Sequence, residues 1–417
     1  MKLPRFFSTE PTAVSGPKGP SPVEQQLLAG KQVPALDAIR GLAILMVTYY
    51  RFGGGSPGEA HVGDGLPFYG VGQRGVELFF VLSGFLITGI LFDSKAKPHF
   101  FRNFYARRTL RIFPLYYGVI LLGLVILPAF SSLAASWYAE AREQQGWLWL
   151  YGANVLQAWR GEWCLGWFNH FWSLAVEEHF YLAWPLLVFA LSRRQAIVAC
   201  AVLFAISLGS RVGWVLLGGN DVAPHVFTLF RLDAIALGSG LALVLRGPGG
   251  LASLVRPAQI GLAVSTLLLI AVAIVDRRIF TIPDTFWAIF FGSALVLILN
   301  APLGGWVQRA GESQVLRFFG KYSYGMYVFQ SLLIPALAML ATAPGLATAC
   351  GSETLGQLAY LAILSTATIG LAVLSWHTYE KHFLKLKGRF EAHASSVQTL
   401  PGLAITSGLE SSAAARG

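Results

Sequence analysis

The stretch GVELFFVLSGFLITGIL, residues 75–91, decides the fold, because Glu77 is its single charged residue and nearly all the others are apolar. Such a run approaches the roughly 20 apolar residues that an α-helix needs to cross a bilayer. The whole chain has the same character, since 55% of its 417 residues are hydrophobic and only 12% are charged. Soluble domains carry about 25% charged residues. The composition therefore predicts an all-α, polytopic transmembrane helical bundle.

Similar apolar runs recur along the chain and predict about ten membrane-spanning helices. No gap between them could hold a soluble domain, and the longest, residues 131–171, is rich in tryptophan, which is typical of a membrane interface. The predicted spans begin near Leu36 and Val76 and continue at Ile112–Phe130, Trp172–Leu191, Ala196–Leu217, Phe227–Leu245, Ile260–Val275, Phe286–Leu299, Tyr324–Leu340 and Leu358–Trp376.

The distribution of Lys and Arg predicts the orientation, since cytoplasmic loops carry the excess of positive charge. With the N-terminus inside, the inner segments hold most of the basic residues, including Lys95, Arg193 and Lys387, and the outer segments hold few, such as Arg142. Both termini are therefore expected in the cytoplasm, in a multi-pass protein of the inner (plasma) membrane. The net charge of +10 fits this pattern, and no nucleic-acid partner is expected.

The two ends of the chain differ from its middle. Residues 1–33 and 389–417 lack long apolar runs and are predicted to be disordered cytoplasmic segments that flank a transmembrane domain, residues 34–388. The first segment has no apolar core, so we do not expect a signal peptide there. The three cysteines show neither a disulfide framework nor metal-ligand spacing, and no bound metal is expected.

The first predicted helix, ALDAIRGLAILMVTYYRF (residues 35–52), carries Asp37 and Arg40 three residues apart on one face. Arg51 lies about three turns beyond Arg40, so it returns to that face roughly 16 Å away. Ionisable groups in spanning helices are costly and often mark function, which makes all three residues catalytic candidates. The structural alternative is an ion pair at the inner end, with Arg51 reaching out to the interface.

The segment FYARRTLRIFPLYY (residues 104–117) places Arg107, Arg108 and Arg111 at the predicted cytoplasmic entrance of the third helix. Guanidinium groups bind phosphates through paired hydrogen bonds, so a phosphate-binding site is one interpretation. The same basic residues also satisfy the orientation rule for an inner loop. Both interpretations stay open on this segment alone.

Two adjacent glutamates, Glu177 and Glu178, interrupt the apolar helix NHFWSLAVEEHFYLAWPLL (residues 169–187), between His170 and His179. The glutamates point about 100° apart, so only one of them is expected to face a given cavity squarely, and His170 shares the face of Glu177. Packing does not readily explain such charges, although a polar helix end at the interface is the structural alternative.

Further charges are predicted to contribute to substrate binding near the outer ends of two other helices. Glu77 stands at the start of the second helix, and FRLDAIALG (residues 230–238) brings Arg231 and Asp233 to the sixth. Charges at such depth are expected to line a ligand site rather than the lipid.

These segments together resemble the successive signatures of the acyltransferase 3 family, whose members are integral-membrane O-acyltransferases that modify surface polysaccharides, peptidoglycan, lipids or macrolides. The resemblance keeps the family's order and covers about Leu36–Leu386. The matching segments are LDAIRGLAIL, GVELFFVLSGFLIT, FYARRTLRIFPLYY, HFWSLAVEEHFYLAWPLL, FRLDAIALG, KYSYGMYVFQ and YEKHFLKL.

The resemblance implies a functional Arg40 on the first helix and a pair, Arg108 and Arg111, near the headgroup of acyl-CoA. It also implies that a site within the membrane passes the acyl group to a hydroxyl. Two residues depart from the family's pattern. Arg51 stands where the family typically has the histidine that acts as general base, and Gln330 stands where relatives commonly have another histidine. A guanidinium stays protonated in proteins, so Arg51 cannot accept a proton.

The candidate general bases are therefore His170 and Glu178, with Glu177 beside them in the same segment. Arg51 is expected either to stabilise a developing oxyanion or to pair with an acidic group at the outer end of the bundle. A permanent cation there needs an acidic partner. The acidic groups at that depth are Glu77, Glu177 and Glu178.

The expected function is transfer of an acyl group, in the simplest case acetyl, from cytoplasmic acyl-CoA to a hydroxyl of a carbohydrate or envelope-lipid acceptor. Acyl-CoA is a co-substrate in this scheme, and no permanently bound cofactor is expected. One alternative is a catalytically silent family member that binds acyl-CoA or glycan, because of Arg51. A transporter is the other, disfavoured because the sequence shows no inverted repeat.

Overall fold

The structure is a computed structural model that describes residues 22–54, 66–275, 282–302 and 304–390. In these ranges every regular element is helical, which confirms the all-α prediction. We number the ten longest helices in chain order. They are α1 (Pro34–Gly53), α2 (Gly75–Ser94), α3 (Phe100–Leu121), α4 (Trp172–Ala190), α5 (Arg193–Leu216), α6 (Thr228–Leu245), α7 (Ala252–Val275), α8 (Ile282–Leu299), α9 (Gln314–Phe329) and α10 (Glu353–Ser375).

Seven helices of the described chain are long and apolar enough to cross a membrane, so this is a multi-pass membrane protein. An eighth span results if α9 and the segment Ile334–Cys350, bent by 76° relative to it, count as one. Helices α1 and α4 also stand at predicted spans, but their charged residues lower their apolarity. The predicted count of ten spans is therefore not confirmed by length and apolarity alone.

Two pairs of parallel helices form the centre of the bundle. In each pair the backbones approach closely at two glycines that face each other. A β-carbon at Gly41 of α1 would overlap the Leu316 carbonyl oxygen of α9, and one at Gly320 would overlap the Asp37 carbonyl oxygen. Gly84 of α2 and Gly238 of α6 meet each other's helix backbones in the same way. Small residues allow this close approach, which is a common way to pack helices in a bilayer.

Burial separates the inner helices from those at the periphery. In the span that contains α2, 72% of the most apolar 18-residue stretch is buried inside the protein, whereas in α7 the buried share of the corresponding stretch is only 11%. Exposed side chains on α7 such as Leu267 and Ile274 therefore face the surroundings of the bundle. In a membrane protein these surroundings are the acyl chains of the lipids.

The tryptophan-rich segment 131–171, predicted as an interfacial loop or re-entrant element, consists largely of short helices. Tyr151 within it stacks on Tyr116 of α3, with 4.0 Å between the ring centroids, so the segment packs on the bundle. The short helices are Ser132–Trp137, Ala139–Glu143, Gln145–Trp149 and Ala153–Arg160, followed by a 3₁₀ turn at Gly166–Phe171.

The two predicted disordered segments fall largely outside the described residues, at 1–21 and 391–417. The described part of the first contains a short helix, Pro22–Leu28. Its Glu24 accepts a hydrogen bond from the Leu251 backbone amide at 3.1 Å, which ties this helix to the start of α7. At the other end, Leu386–Phe390 forms a 3₁₀ turn.

Candidate active site

A central cavity of about 170 Å³ lies among α1, α2, α3, α4 and α9. One wall is apolar, built from side chains of α2 such as Phe79 and Leu86, and the other is polar. The charged lining residues are Arg40, Arg108, Arg111, Glu177 and Glu178, and the hydroxyl-bearing ones are Ser83, Ser173, Tyr181, Ser323, Tyr324 and Tyr327. Five of the residues predicted from the sequence therefore meet in one place.

The two glutamates both line this cavity, although the helix geometry predicted that only one would face it squarely. The Glu177 carboxylate lies beside the hydroxyls of Ser83 and Tyr181, which contact each other by a hydrogen bond. In Glu178, by contrast, the buried Oε1 atom has no hydrogen-bond partner in the described chain. Glu177 is thus held in position, while Glu178 keeps an oxygen free to accept a proton.

The arginines cover the carboxylates from the side of α1 and α3. The Arg108 guanidinium lies over the Tyr181 ring, 4.1 Å from its centroid, and its buried Nε atom has no partner in the described chain. Arg40 forms the predicted ion pair with Asp37 at 3.1 Å while also lining the cavity. Three cations thus line the cavity with two carboxylates, and one of these cations, Arg40, is also paired with Asp37 outside the lining.

A second, larger cavity of about 790 Å³ opens next to the first, and we call it the basic vestibule. Arg40, Arg108 and Arg111 line both cavities, so these residues form the neck between them. The basic lining residues beyond the neck are Lys31, Lys97, Arg107, Arg246 and Lys387. Of these, Arg246 is held by Asp93 at 2.5 Å. The predicted phosphate site on α3 therefore belongs to a wide basic chamber.

The candidate base His170 lies outside the lining of the central cavity. It is only 2% exposed, and its Nε2 faces the Val328 carbonyl oxygen at 3.3 Å. It touches the cavity through Tyr327, whose hydroxyl donates to the His170 carbonyl oxygen at 2.9 Å. Of the two candidate bases, Glu178 therefore lines the central cavity and His170 does not.

Arg51 does not pair with any of the three glutamates proposed as its partner, so that prediction is wrong. In the described chain it forms no ion pair. Its guanidinium lies 5.9 Å from the Tyr50 ring centroid, and Tyr327 is its main electrostatic neighbour. The reason is that Glu77 is engaged elsewhere, and that α4 turns its glutamates towards Arg108.

Glu77 and Arg231, predicted to bind substrate, belong to a buried cluster of four charges, which we call the ion-pair quartet. Arg231 donates to Glu77 at 2.6 Å and to Asp284 at 2.5 Å. Arg74 contacts Glu77 at 3.4 Å and also pairs with Asp284. The quartet connects α2, α6 and α8, and its two positive and two negative charges balance.

Asp233, the third predicted substrate-binding residue, pairs with Arg211 of α5 at 2.9 Å. Thr285 of α8 donates to the same carboxylate at 2.6 Å. Arg211 is completely buried and also donates to the Phe230 carbonyl oxygen at 2.8 Å. Neither this group nor the quartet lines the central cavity.

Sequence reasoning missed the residues that complete these groups, although some signals were present. Arg211 is a lone charge in an apolar helix, and Asp284 stands at the start of one, so both could have been selected. Tyr181 lies one helical turn after Glu177 and shares its face, which is a signal for a hydroxyl partner. Nothing in the sequence marks Ser83 or Tyr327 as neighbours of the glutamates.

The acyltransferase 3 model, described as an acyltransferase domain, matches residues 33–377. The O-acetyltransferase OatA of Staphylococcus aureus is 24% identical over an alignment of 332 positions, which covers 74% of this chain and 52% of that protein. The peptidoglycan O-acetyltransferase OatA of Listeria monocytogenes is 27% identical over an alignment of 332 positions, which covers 73% of this chain and 50% of that protein.

A further relative is the putative peptidoglycan O-acetyltransferase YrhL of Bacillus subtilis, 28% identical over an alignment of 246 positions, which covers 51% of this chain and 33% of that protein. The chain spans about half the length of the OatA relatives that it matches, and a third of YrhL. No solved structure matches the chain.

Proposed function

The chain belongs to the acyltransferase 3 family, whose model covers residues 33–377, and we propose on this premise that it is a membrane-bound O-acyltransferase. It moves an acyl group, in the simplest case acetyl, from acyl-CoA to a hydroxyl of a carbohydrate or another cell-envelope acceptor. One observation carries the proposal. The cavity that holds Glu177 and Glu178 shares Arg40, Arg108 and Arg111 with the basic vestibule.

The vestibule suits the donor, because coenzyme A carries several phosphates on a long, flexible arm. Arg107, Lys97 and Lys387 line the wide part, where the phosphates would bind. Arg108 and Arg111 at the neck would hold the arm so that the thioester reaches the central cavity. Guanidinium groups suit this role because they bind phosphate oxygens in pairs.

The chemistry assigned to the central cavity is a direct transfer. The acceptor oxygen attacks the thioester carbonyl carbon, the carbon–sulfur bond breaks, and an ester and the coenzyme A thiol result. Glu178 takes the proton from the hydroxyl through its unpartnered Oε1, and this proton then leaves with the thiol. The cationic neck stabilises the negative charge that develops on the carbonyl oxygen.

The topology proposed with this function has ten spans, with α1 and α4 added to the seven apolar helices and the bent pair. Polar residues of α1 and α4 face the cavity rather than lipid, which explains why these helices are less apolar than the others. The vestibule faces the cytoplasm, where acyl-CoA is made, and both termini lie on that side of the plasma membrane. The excess of basic residues around the vestibule supports this orientation.

The acceptor is proposed to be an envelope carbohydrate. The relatives from Listeria monocytogenes and Bacillus subtilis are named for O-acetylation of peptidoglycan, which supports a glycan hydroxyl. The acceptor would reach the central cavity from the end opposite the vestibule. In this arrangement the donor and the acceptor meet at Glu178 from opposite sides of the membrane.

The test is acyl transfer from radiolabelled acetyl-CoA in proteoliposomes that contain the purified chain. Peptidoglycan fragments, other envelope glycans or buffer alone are supplied on the side opposite the donor. Label that enters a glycan as an alkali-labile ester supports the proposal. If coenzyme A binds, yet no acceptor or only water receives the label, the transferase assignment is wrong.

A silent family member that binds acyl-CoA or glycan without turnover is a second candidate, favoured by one observation. Arg51, at the position where the family typically has its base, cannot accept a proton. The variant Arg51→His separates the two candidates. A parent that is inert and a variant that transfers label would support the silent candidate, whereas an active parent excludes it.

A further inference from the structure

Several buried polar atoms that have no partner in the described chain belong to residues near the C-terminal ends of α1 and α9 and to the 3₁₀ turn before α4. Buried polar groups are nearly always hydrogen-bonded, so several unpaired ones together indicate a missing partner. We call this group the polar cluster. Its atoms, unpartnered in the described chain, are Thr48 Oγ1, Arg51 Nε, His170 Nδ1, both amide atoms of Gln330, and Ser331 Oγ.

The packing of two helices brings these residues to one level of the bundle. Helices α1 and α9 run side by side with Gly41 against Gly320. Arg51 and Gln330 each follow the glycine of their helix by ten residues, so in parallel helices they stand about 15 Å along the axis from that contact. Tyr327, one turn before Ser331, is the main electrostatic neighbour of Arg51.

His170 approaches the same level from the 3₁₀ turn before α4. Its ring centroid lies 5.5 Å from that of Tyr327, and Arg51 is the nearest charge acting on it. Tyr327 also contacts Ser173 by a hydrogen bond, and both line the central cavity. The polar cluster is thus one side chain away from the position of the reacting groups.

We propose that the polar cluster binds a carboxylate carried by one of the two reactants, with Arg51 as its counter-ion. Arg51 is half-buried, a cation that is largely removed from water needs an anion, and in the described chain no carboxylate supplies one to it. A neutral sugar would satisfy the hydroxyls of Thr48 and Ser331 and the amide of Gln330, but it would leave the charge of Arg51 unbalanced. A carboxylate accepts hydrogen bonds from these groups and also balances the charge of Arg51, because a guanidinium binds a carboxylate through two hydrogen bonds.

A hydroxyl of the acceptor is also expected to lie close to this carboxylate, whichever of the two reactants carries the carboxylate. His170 Nε2 faces the Val328 carbonyl oxygen, so this nitrogen carries the proton and Nδ1 is left as an acceptor. A hydroxyl group bound at this position would donate a hydrogen bond to Nδ1. The proposal rests on the proposed acyl transfer in one respect only, since that transfer provides two reactants that could bring the carboxylate, the acyl group or the acceptor.

Binding measurements on the purified full chain test the proposal without any turnover. The acceptor arm compares glucuronate and N-acetylmuramate, each against its methyl ester. The acyl arm compares succinyl-CoA with acetyl-CoA. We expect the parent to bind the charged member of one arm at least about tenfold more tightly, and Arg51→Gln to reduce this preference to about twofold or less. The arm that shows the preference identifies the reactant that carries the carboxylate.

The exposed Arg142 provides the matched control, because Arg142→Gln removes the same charge away from the cluster. This variant should keep the parent's preference. The proposal is overturned if the parent shows no preference in either arm, or if the preference survives in Arg51→Gln. Because the assay needs no transfer, a protein that fails to acylate but discriminates the carboxylate refutes the proposed function and leaves the polar cluster assigned.

A stability measurement guards against a trivial loss of binding. Arg51→Gln removes a charge that forms no ion pair in the described chain, so the ligand-free variant should unfold at the same temperature as the parent or a higher one. A clear decrease in its unfolding temperature would mean that Arg51 holds the fold together, and this result would overturn its role as a ligand counter-ion.

Discussion

The Arg108 guanidinium lies over the ring of Tyr181, 4.1 Å from its centroid, and both residues line the cavity that contains Glu178. This contact fixes a cation from α3 next to the carboxylates of α4. It also means that Arg108 reaches inward from the vestibule to the reacting groups. The arginines of α3 thus connect the binding of the donor to the site of transfer.

The double variant Arg108→Ala/Arg111→Ala should weaken coenzyme A binding strongly, by about 2–5 kcal/mol if the ion pairs are desolvated. Isothermal titration of the purified protein with coenzyme A measures this change. The exposed Arg194 provides the control, since Arg194→Ala removes a basic residue that does not line the vestibule. Unchanged affinity in the double variant would show that the vestibule does not bind the donor.

Replacing Arg231 with methionine should destabilise the protein by about 3–5 kcal/mol, because it leaves two buried carboxylates of the quartet with Arg74 as their shared counter-ion. Thermal unfolding in detergent measures this change. The further substitution Glu77→Gln in the same chain should restore part of the stability, since it removes the excess negative charge and leaves Arg74 paired with Asp284. If the Arg231→Met protein unfolds at the same temperature as the parent but no longer binds the acceptor, Arg231 binds substrate and does not mainly stabilise the fold.

Gly41→Ala should reduce stability by about 1–3 kcal/mol, because its β-carbon would overlap the Leu316 carbonyl oxygen and push α1 away from α9. Gly209 of α5 is the matched control, since nothing lies within 4 Å of a β-carbon there. Gly209→Ala should leave stability unchanged or raise it by up to ~1 kcal/mol. Equal unfolding temperatures for the two variants would contradict the close packing of α1 and α9.

The helical architecture could be predicted from the sequence because apolar runs such as residues 75–91 report directly on the lipid environment. The helices at α1 and α4 were placed by the same rule, even though their charges lower their apolarity. The short helices of residues 131–171 could not be predicted in this way. Their aromatic side chains pack on α3, as Tyr151 does on Tyr116, and such contacts leave no periodic pattern.

The site was predictable where one helix supplied the information, and less so where several helices had to meet. Glu177 and Glu178 stand out within a single apolar run, and both line the cavity. The predicted partner of Arg51 is wrong, because two residues at the same depth in the membrane meet only if their helices turn them towards each other. The sequence does not specify this rotation. Glu77 pairs with Arg231, whose helix packs beside α2 through Gly84 and Gly238.

The role of Glu178 as the proton acceptor is the central claim, and one comparison tests it most directly. Label transfer from acetyl-CoA to glycan is measured for the parent, Glu178→Gln and the exposed-site control Glu143→Gln, with coenzyme A affinity measured for each. The account predicts that Glu178→Gln lowers transfer by about 10²–10⁴-fold with donor affinity nearly unchanged, while Glu143→Gln keeps the parent's rate. An active parent whose rate is retained in Glu178→Gln would contradict the account.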